Sequence, residues 1–131
     1  MATGKKRYNT RNCYFAVMDI DELRSYCSHF PGVTEDIKWE VHLTFCIGGK
    51  MFCIADLEEP FGYAFKSDPD DFEELAGRNG IVPAPHLARA QWVKVLQPGA
   101  LGRKEAEEKI RRSYDLVAAK LTKKLRAELG I

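Results

Sequence analysis

Four cysteines, three histidines, four serines and a dense run of carboxylates are the groups in this 131-residue chain that could do chemistry. Cys13, Cys27, Cys46 and Cys53 show no C-x2-C spacing, so neither a zinc knuckle nor a dithiol redox site follows from them. Buried reduced thiols are the expected state, because free cysteine packs as a small hydrophobe. Cys46 and His42 share a strand face, but four residues of strand span roughly 13 Å, beyond hydrogen-bond reach. No HExxH pair is present. Ser25, Ser28, Ser67 and Ser113 lie outside any G-x-S-x-G elbow, and Ser67 suits a helix cap. Gly48-Gly49-Lys50-Met51 lacks the upstream glycine and the hydroxyl of a phosphate-binding loop, and a hairpin turn explains it. Asp68, Asp70, Asp71, Glu73 and Glu74 lack the spacing and the glycine of a calcium loop. They suit the positive end of a helix instead. No catalytic, metal or cofactor site emerges, and the expectation is a protein that is not an enzyme.

The basic and aromatic residues offer more. Pro85 is followed by His86, Arg89, Gln91, Trp92 and Lys94, an interleaving that can stack on bases or contact phosphates. The same residues also suit ordinary packing, with Trp92 in the core. Net charge is +1, but it is segregated. Residues 1–18 carry four basic and no acidic side chains, a charge of +4. Residues 19–85 carry five basic and fourteen acidic ones, −9, and residues 86–131 carry eleven and five, +6. Phosphate contacts supply most nucleic-acid affinity, so only the two ends of the sequence offer that surface. An acidic middle repels phosphate.

These residues must be positioned by the elements around them. Asp19 can cap a helix, with Glu22 completing a capping box, and Ile20, Leu23, Cys27 and Phe30 share one helical face. Pro31-Gly32 stops it. Val41, Leu43, Phe45 and Ile47 alternate with polar residues as in a half-buried strand, and Gly48-Gly49 turns the chain back through residues 51–55. A two-residue turn sets Ile47 opposite Lys50, Phe45 opposite Phe52 and Leu43 opposite Ile54. His42, Thr44, Cys46, Met51, Cys53 and Ala55 would then form a soft second face, with Cys46 and Cys53 diagonal. Residues 62–66 form a further strand, and Ser67-Asp68-Pro69 opens a second helix that Gly77-Arg78-Asn79-Gly80 ends. The prolines of Ile81-Val82-Pro83-Ala84-Pro85 exclude a central strand there. Residues 91–96 form a strand around Trp92. After Pro98-Gly99 comes a long C-terminal helix whose seam is Ala106, Ile110, Tyr114, Val117 and Leu121, with Arg111, Arg112, Lys120, Lys123 and Lys124 mostly outward. This order implies an α+β two-layer sandwich, an antiparallel sheet packed against helices.

The length suits one domain, and 45% hydrophobic with 30% charged residues is an ordinary globular mixture. No apolar run approaches a membrane span, and the apolar stretch after Lys5-Lys6-Arg7 is too short for a secretory signal. A cytoplasmic protein is expected. Residues 1–17 have neither helical nor strand periodicity and are expected to be a flexible extension, leaving residues 18–131 as the domain.

Several segments together resemble the MmcQ/YjbR family. They are Phe30-Pro31-Gly32-Val33-Thr34-Glu35-Asp36, Trp39, Gly48-Gly49-Lys50-Met51-Phe52, Lys66 with Pro69, Ile81-Val82-Pro83-Ala84-Pro85-His86, and Trp92. Ser113-Tyr114-Asp115-Leu116-Val117 with Lys120-Leu121 and Lys123-Lys124 completes the pattern, which covers about residues 18–126. Thr122 stands where proline is common, and Phe30 where leucine is usual. The resemblance implies a compact fold similar to bacterial secretion chaperones and to the frataxin homologue CyaY. It also implies DNA binding through a double-wing arrangement, and it brings no catalytic residues.

The leading expectation is therefore a small DNA-binding protein. His86, Arg89, Lys94, Arg111, Arg112, Lys120, Lys123 and Lys124 would contact phosphate, Trp92 would stack, and Lys50 and Lys66 are further candidates. The alternative is a non-catalytic protein- or peptide-interaction module, with the second hairpin face pairing with a partner or a second copy.

Overall fold

The computed structural model describes residues 17–131. The extension expected over residues 1–17, apart from Val17, lies outside the described residues, as does Cys13. In chain order the elements are α1 (Ile20–Ser28), β1 (Val33–Lys38), β2 (His42–Ile47), β3 (Lys50–Asp56), β4 (Tyr63–Lys66), α2 (Pro69–Ala76), β5 (Ile81–Pro83), β6 (Trp92–Val95), α3 (Arg103–Ala118) and α4 (Lys123–Leu129). The strands form one antiparallel sheet ordered β1-β2-β3-β4-β6-β5. Helices and one sheet face enclose a core built on Leu23, Phe45, Phe52, Phe65, Leu75, Val93 and Ile110, so the fold is the expected α+β type. No helix of the described residues is long and apolar enough to cross a membrane.

The first helix forms as its sequence dictates. The Glu22 backbone N–H donates to Asp19 Oδ1 at 2.8 Å, and the Asp19 N–H donates to Glu22 Oε1 at 3.1 Å, closing the capping box. Leu23 and Cys27 face the core, joined by Phe30 just past the helix end.

Strand β1 is not foreseen by the sequence pattern. Val-Thr-Glu-Asp-Ile-Lys has no clean alternation, because an edge strand with four consecutive exposed residues is not sorted into buried and wet faces. The prolines after Ile81 are accommodated as expected, since β5 is the opposite edge strand.

The β2–β3 register departs from the simple hairpin. Ile47 does face Lys50, but a bulge shifts the pairing so that Phe45 faces Cys53 and Leu43 faces Ala55. Phe52 is the extra residue. Its ring joins Phe30 and Tyr114, at centroid distances of 5.9 and 5.3 Å. Cys53 and Ala55 therefore belong to the core, not to the second face expected for them. That face instead carries Thr44, Cys46, Met51 and Ile54, with Ala64, Ala84 and Trp92 forming a small apolar cluster further along it. Cys27, Cys46 and Cys53 are free and buried, as expected of packed thiols.

The bulge leaves backbone groups to satisfy where β3 and β4 part. Ser113 of α3 is wholly buried there: its hydroxyl donates to Phe52 O at 2.6 Å and accepts from Lys66 N–H at 2.9 Å. A serine read from the sequence as chemically idle thus joins helix to sheet. Ser67 does not cap α2. Asp68 holds the cap position, and the Ser67 hydroxyl donates to Gln91 O at 2.9 Å, tying the start of α2 to β6.

The expected C-terminal seam of Ala106, Ile110, Tyr114, Val117 and Leu121 is buried. The helical region is interrupted after Ala118, however, and Thr122 starts α4 by accepting from the Leu125 N–H at 3.1 Å. A helix N-cap accommodates threonine well, and proline suits the adjacent first turn, so Thr122 departs from the family pattern without losing the break.

Candidate nucleic-acid interface

Strand directions place the basic residues. The β2–β3 turn, the end of β4 at Lys66 and the start of β6 at Trp92 all lie at one end of the sheet, because Ile47 pairs with Lys50 and Lys66 with Trp92. The β5–β6 connection, which carries His86 and Arg89, emerges at the same end, since Pro83 pairs with Val93. Helix α3 runs toward it, with Ser113 on Phe52 and Lys66.

Gly48 brings the turn onto the α3–α4 junction. Its φ is +60°, and a Cβ there would lie 2.8 Å from Leu121 Cδ1 and 3.2 Å from Leu125 Cδ2. Glycine is needed both for the left-handed backbone and for the close approach. Lys50, two residues on, is thereby held beside the segment that carries Lys120, Lys123 and Lys124.

Most of the candidates therefore converge on one end, but their electrostatic states differ. Lys50, Arg89, Lys120, Lys123 and Lys124 are exposed. Among the described residues none of them has a carboxylate within ion-pair distance. Lys66 donates from Nζ to Ala90 O at 2.7 Å, and burial, then the nearby Lys120 charge, pulls its pKa below that of an ordinary lysine. Arg126, also exposed on α4, extends this surface. It is missing from the sequence-derived set because the break at Thr122 does not show in the pattern.

Arg111 and Arg112 are committed elsewhere in part. Arg112 makes a two-pronged contact with Asp68 at 2.8 and 3.0 Å, which holds the Asp68 carboxyl below the usual carboxylate range. Arg111 pairs with Asp115 at 3.3 Å and lies 5.4 Å from the Phe30 ring centroid, a cation–π geometry. Both stay exposed. Lys94 is not brought to the basic end; it sits mid-sheet and donates to Asp56 at 2.8 and 3.0 Å. His86 is exposed in a turn with φ +65°. Trp92 is only 5% exposed and packs with Ala64 and Ala84 on the second face of the sheet, so, contrary to the stacking role expected of it, its indole is not presented to a base.

The opposite end of the sheet has another character. The β1–β2 turn and the loop after β3 place Glu40, Glu58 and Glu59 there, together with exposed Trp39 and Leu57.

Comparisons with known proteins agree with the fold. The YjbR family model matches residues 28–116. A crystal structure of Deinococcus radiodurans protein DR2400, with a DUF419 domain, is 30% identical, and the alignment covers 93% of each chain at a TM-score of 0.77. A Pseudomonas syringae protein of known structure is 22% identical over 76% of this chain and 99% of its own, at a TM-score of 0.65, a likeness of fold. No curated protein matches.

Proposed function

This chain belongs to the YjbR family, and we propose that it binds duplex DNA through the basic end of its sheet, without catalysis. The observation that supports the reading is the set of lysines gathered there without carboxylate partners among the described residues. Burial, and then the nearby Lys120 charge, lowers the Lys66 pKa, and an anion beside the two lysines would offset the repulsion. The β2–β3 tip with Lys50 and the β5–β6 connection with Arg89 would act as the two wings, flanking Lys120, Lys123 and Lys124. Arg111 and Arg112, held by Asp115 and Asp68, would border the site. These are phosphate contacts, so they position the protein without reading sequence.

The alternative, a partner on the second hairpin face, loses two of its six residues to the core, since Cys53 and Ala55 face inward.

The test is fluorescence anisotropy of a mixed-sequence duplex with the full chain at about 50 and about 200 mM salt, where neutralising roughly four phosphates predicts an affinity loss of about 100-fold. Steep, saturable binding supports the proposal. Absence of binding at the lower salt contradicts it.

A further inference from the structure

The far end of the sheet gathers exposed apolar groups that nothing at the basic end requires. Ile37 is 59% exposed and Trp39 71%, with Leu57 and Leu96 also open to solvent. Ile37 lies near the end of β1, Trp39 in the β1–β2 turn, Leu57 just past β3 and Leu96 just past β6. Antiparallel pairing of Lys38 with His42, His42 with Asp56, and Tyr63 with Val95 brings all four to one end. Scattered single hydrophobes are ordinary on a surface, and Leu96, four strands away, is one of these. Ile37 and Trp39 are two residues apart at the β1 edge, and the Leu57 N–H donates to Val41 O at 2.8 Å beside the same turn.

The turn is also strained. Trp39 has φ +53° and Glu40 φ +62°, a pair of left-handed residues where glycine, asparagine or aspartate is usual. An exposed tryptophan held in that conformation gains nothing for the fold that a glycine would not supply, and such strain concentrates at binding sites. The indole stands against His42 at a centroid distance of 5.8 Å, which steadies its direction.

Beside it runs a sheet edge. Among the described residues no strand lies beyond β1, and one side of its backbone has no ladder partner among them. Charge selects the occupant. Glu40, Glu58 and Glu59 lie at this end with no ion-pair partner among the described residues, whereas Lys38 is engaged by Asp36 at 3.3 Å and Lys94 by Asp56. A second copy paired antiparallel through β1 would set Glu35 and Asp36 of each chain against their counterparts, which disfavours it.

We infer that the β1 edge with Trp39 is a docking site for an extended segment of another protein that alternates basic and apolar residues. Its backbone adds antiparallel to β1, its apolar side chains cover Trp39 and Ile37, and its lysines or arginines meet the carboxylates. This site is separate from the basic end, so each can fail alone.

The probe is a labelled synthetic octapeptide alternating lysine and valine, titrated into the full chain. Comparators are an alternating glutamate–valine peptide and the basic peptide with a central proline, which cannot complete a ladder. The chain has two tryptophans, one exposed and one buried, so a blue shift on binding reports Trp39. The expected result is binding at least about tenfold tighter than either comparator, a blue shift, and slowed amide exchange in residues 33–38. Trp39→Ala should weaken it by about tenfold or more, and Glu40→Lys with Glu58→Lys likewise, each with unchanged circular dichroism. Three results would each overturn the inference: equal affinity for the three peptides, binding indifferent to Trp39→Ala, or burial of Trp39 by self-association.

Discussion

At one end of the sheet lysines and an arginine stand without carboxylate partners among the described residues, Lys50, Lys120, Lys123 and Lys124 on a turn and two helix termini that meet at Gly48, Leu121 and Leu125. At the other, carboxylates surround an exposed tryptophan and an open strand edge. The two ends share a core and differ in what the described residues leave unsatisfied: the basic end lacks counter-charge among them, the acidic end lacks cover for apolar surface and for a backbone ladder. A net charge near zero conceals both. The lesson is that charge segregated along a sequence becomes a surface patch only where strand direction gathers it. The acidic α2 shows the converse, because much of its charge is absorbed by neighbours: Asp68 by Arg112 and Asp71 by Lys109.

The sharpest way to break this comparison is to loosen the basic end from within. Ser113→Ala removes the one hydroxyl that serves both Phe52 O and Lys66 N–H, so it should cost about 2–4 kcal/mol. Urea denaturation measures this, and a loss under half a kilocalorie would mean that the bulge satisfies itself. Gly48→Ala is expected to cost about 1–2 kcal/mol from its left-handed backbone, with Leu121 able to yield some of the close contact. It should also weaken DNA binding more than peptide binding, because it moves Lys50 off the α3–α4 junction.

A smaller effect concerns a cluster apart from both surfaces. Arg78 bonds Glu74 and Glu105 at 2.7–2.9 Å, and its guanidinium holds both carboxyls below the usual glutamate range. A lowered folded-state pKa gives stability that is complete above the unfolded pKa and is lost as pH falls through the folded one. Arg78→Gln should therefore destabilise at about pH 7, with a smaller gap from the parent at about pH 3. Denaturation midpoints at the two pH values check it, and a gap that widens in acid would reverse the sign.

Much of the fold is legible in the sequence where one physical rule acts alone. The Asp19–Glu22 box and the seam from Ala106 to Leu121 each follow a single cap or period. The alternation through Ile47 locates β2 but not its burial, which runs unbroken from Leu43 to Ile47 instead of covering one face. Legibility fails where tertiary contacts decide. The polar edge strand β1 has no pattern because its four central residues are all wet. The Phe45–Cys53 pairing depends on a bulge that makes room for Phe52 in the core. Ser67 prefers the Gln91 carbonyl to the helix cap it could have served. Lysine enrichment at the C-terminal end is readable, and so is membership of the family. That Lys50, Lys66 and Arg89 lie at the same end is not, because only the sheet order brings them there. Trp39 enters the resemblance as a motif residue, and its exposure is a property of the turn.

The most direct measurement compares the two ends in one experiment. The duplex titration is run on the parent, on Lys120→Glu/Lys123→Glu/Lys124→Glu, and on Trp39→Ala. The lysine variant should lose about 100-fold or more in affinity with a shallower salt slope, while Trp39→Ala binds like the parent. Equal losses in both variants, or none in the lysine variant, would contradict a phosphate-binding surface confined to the basic end.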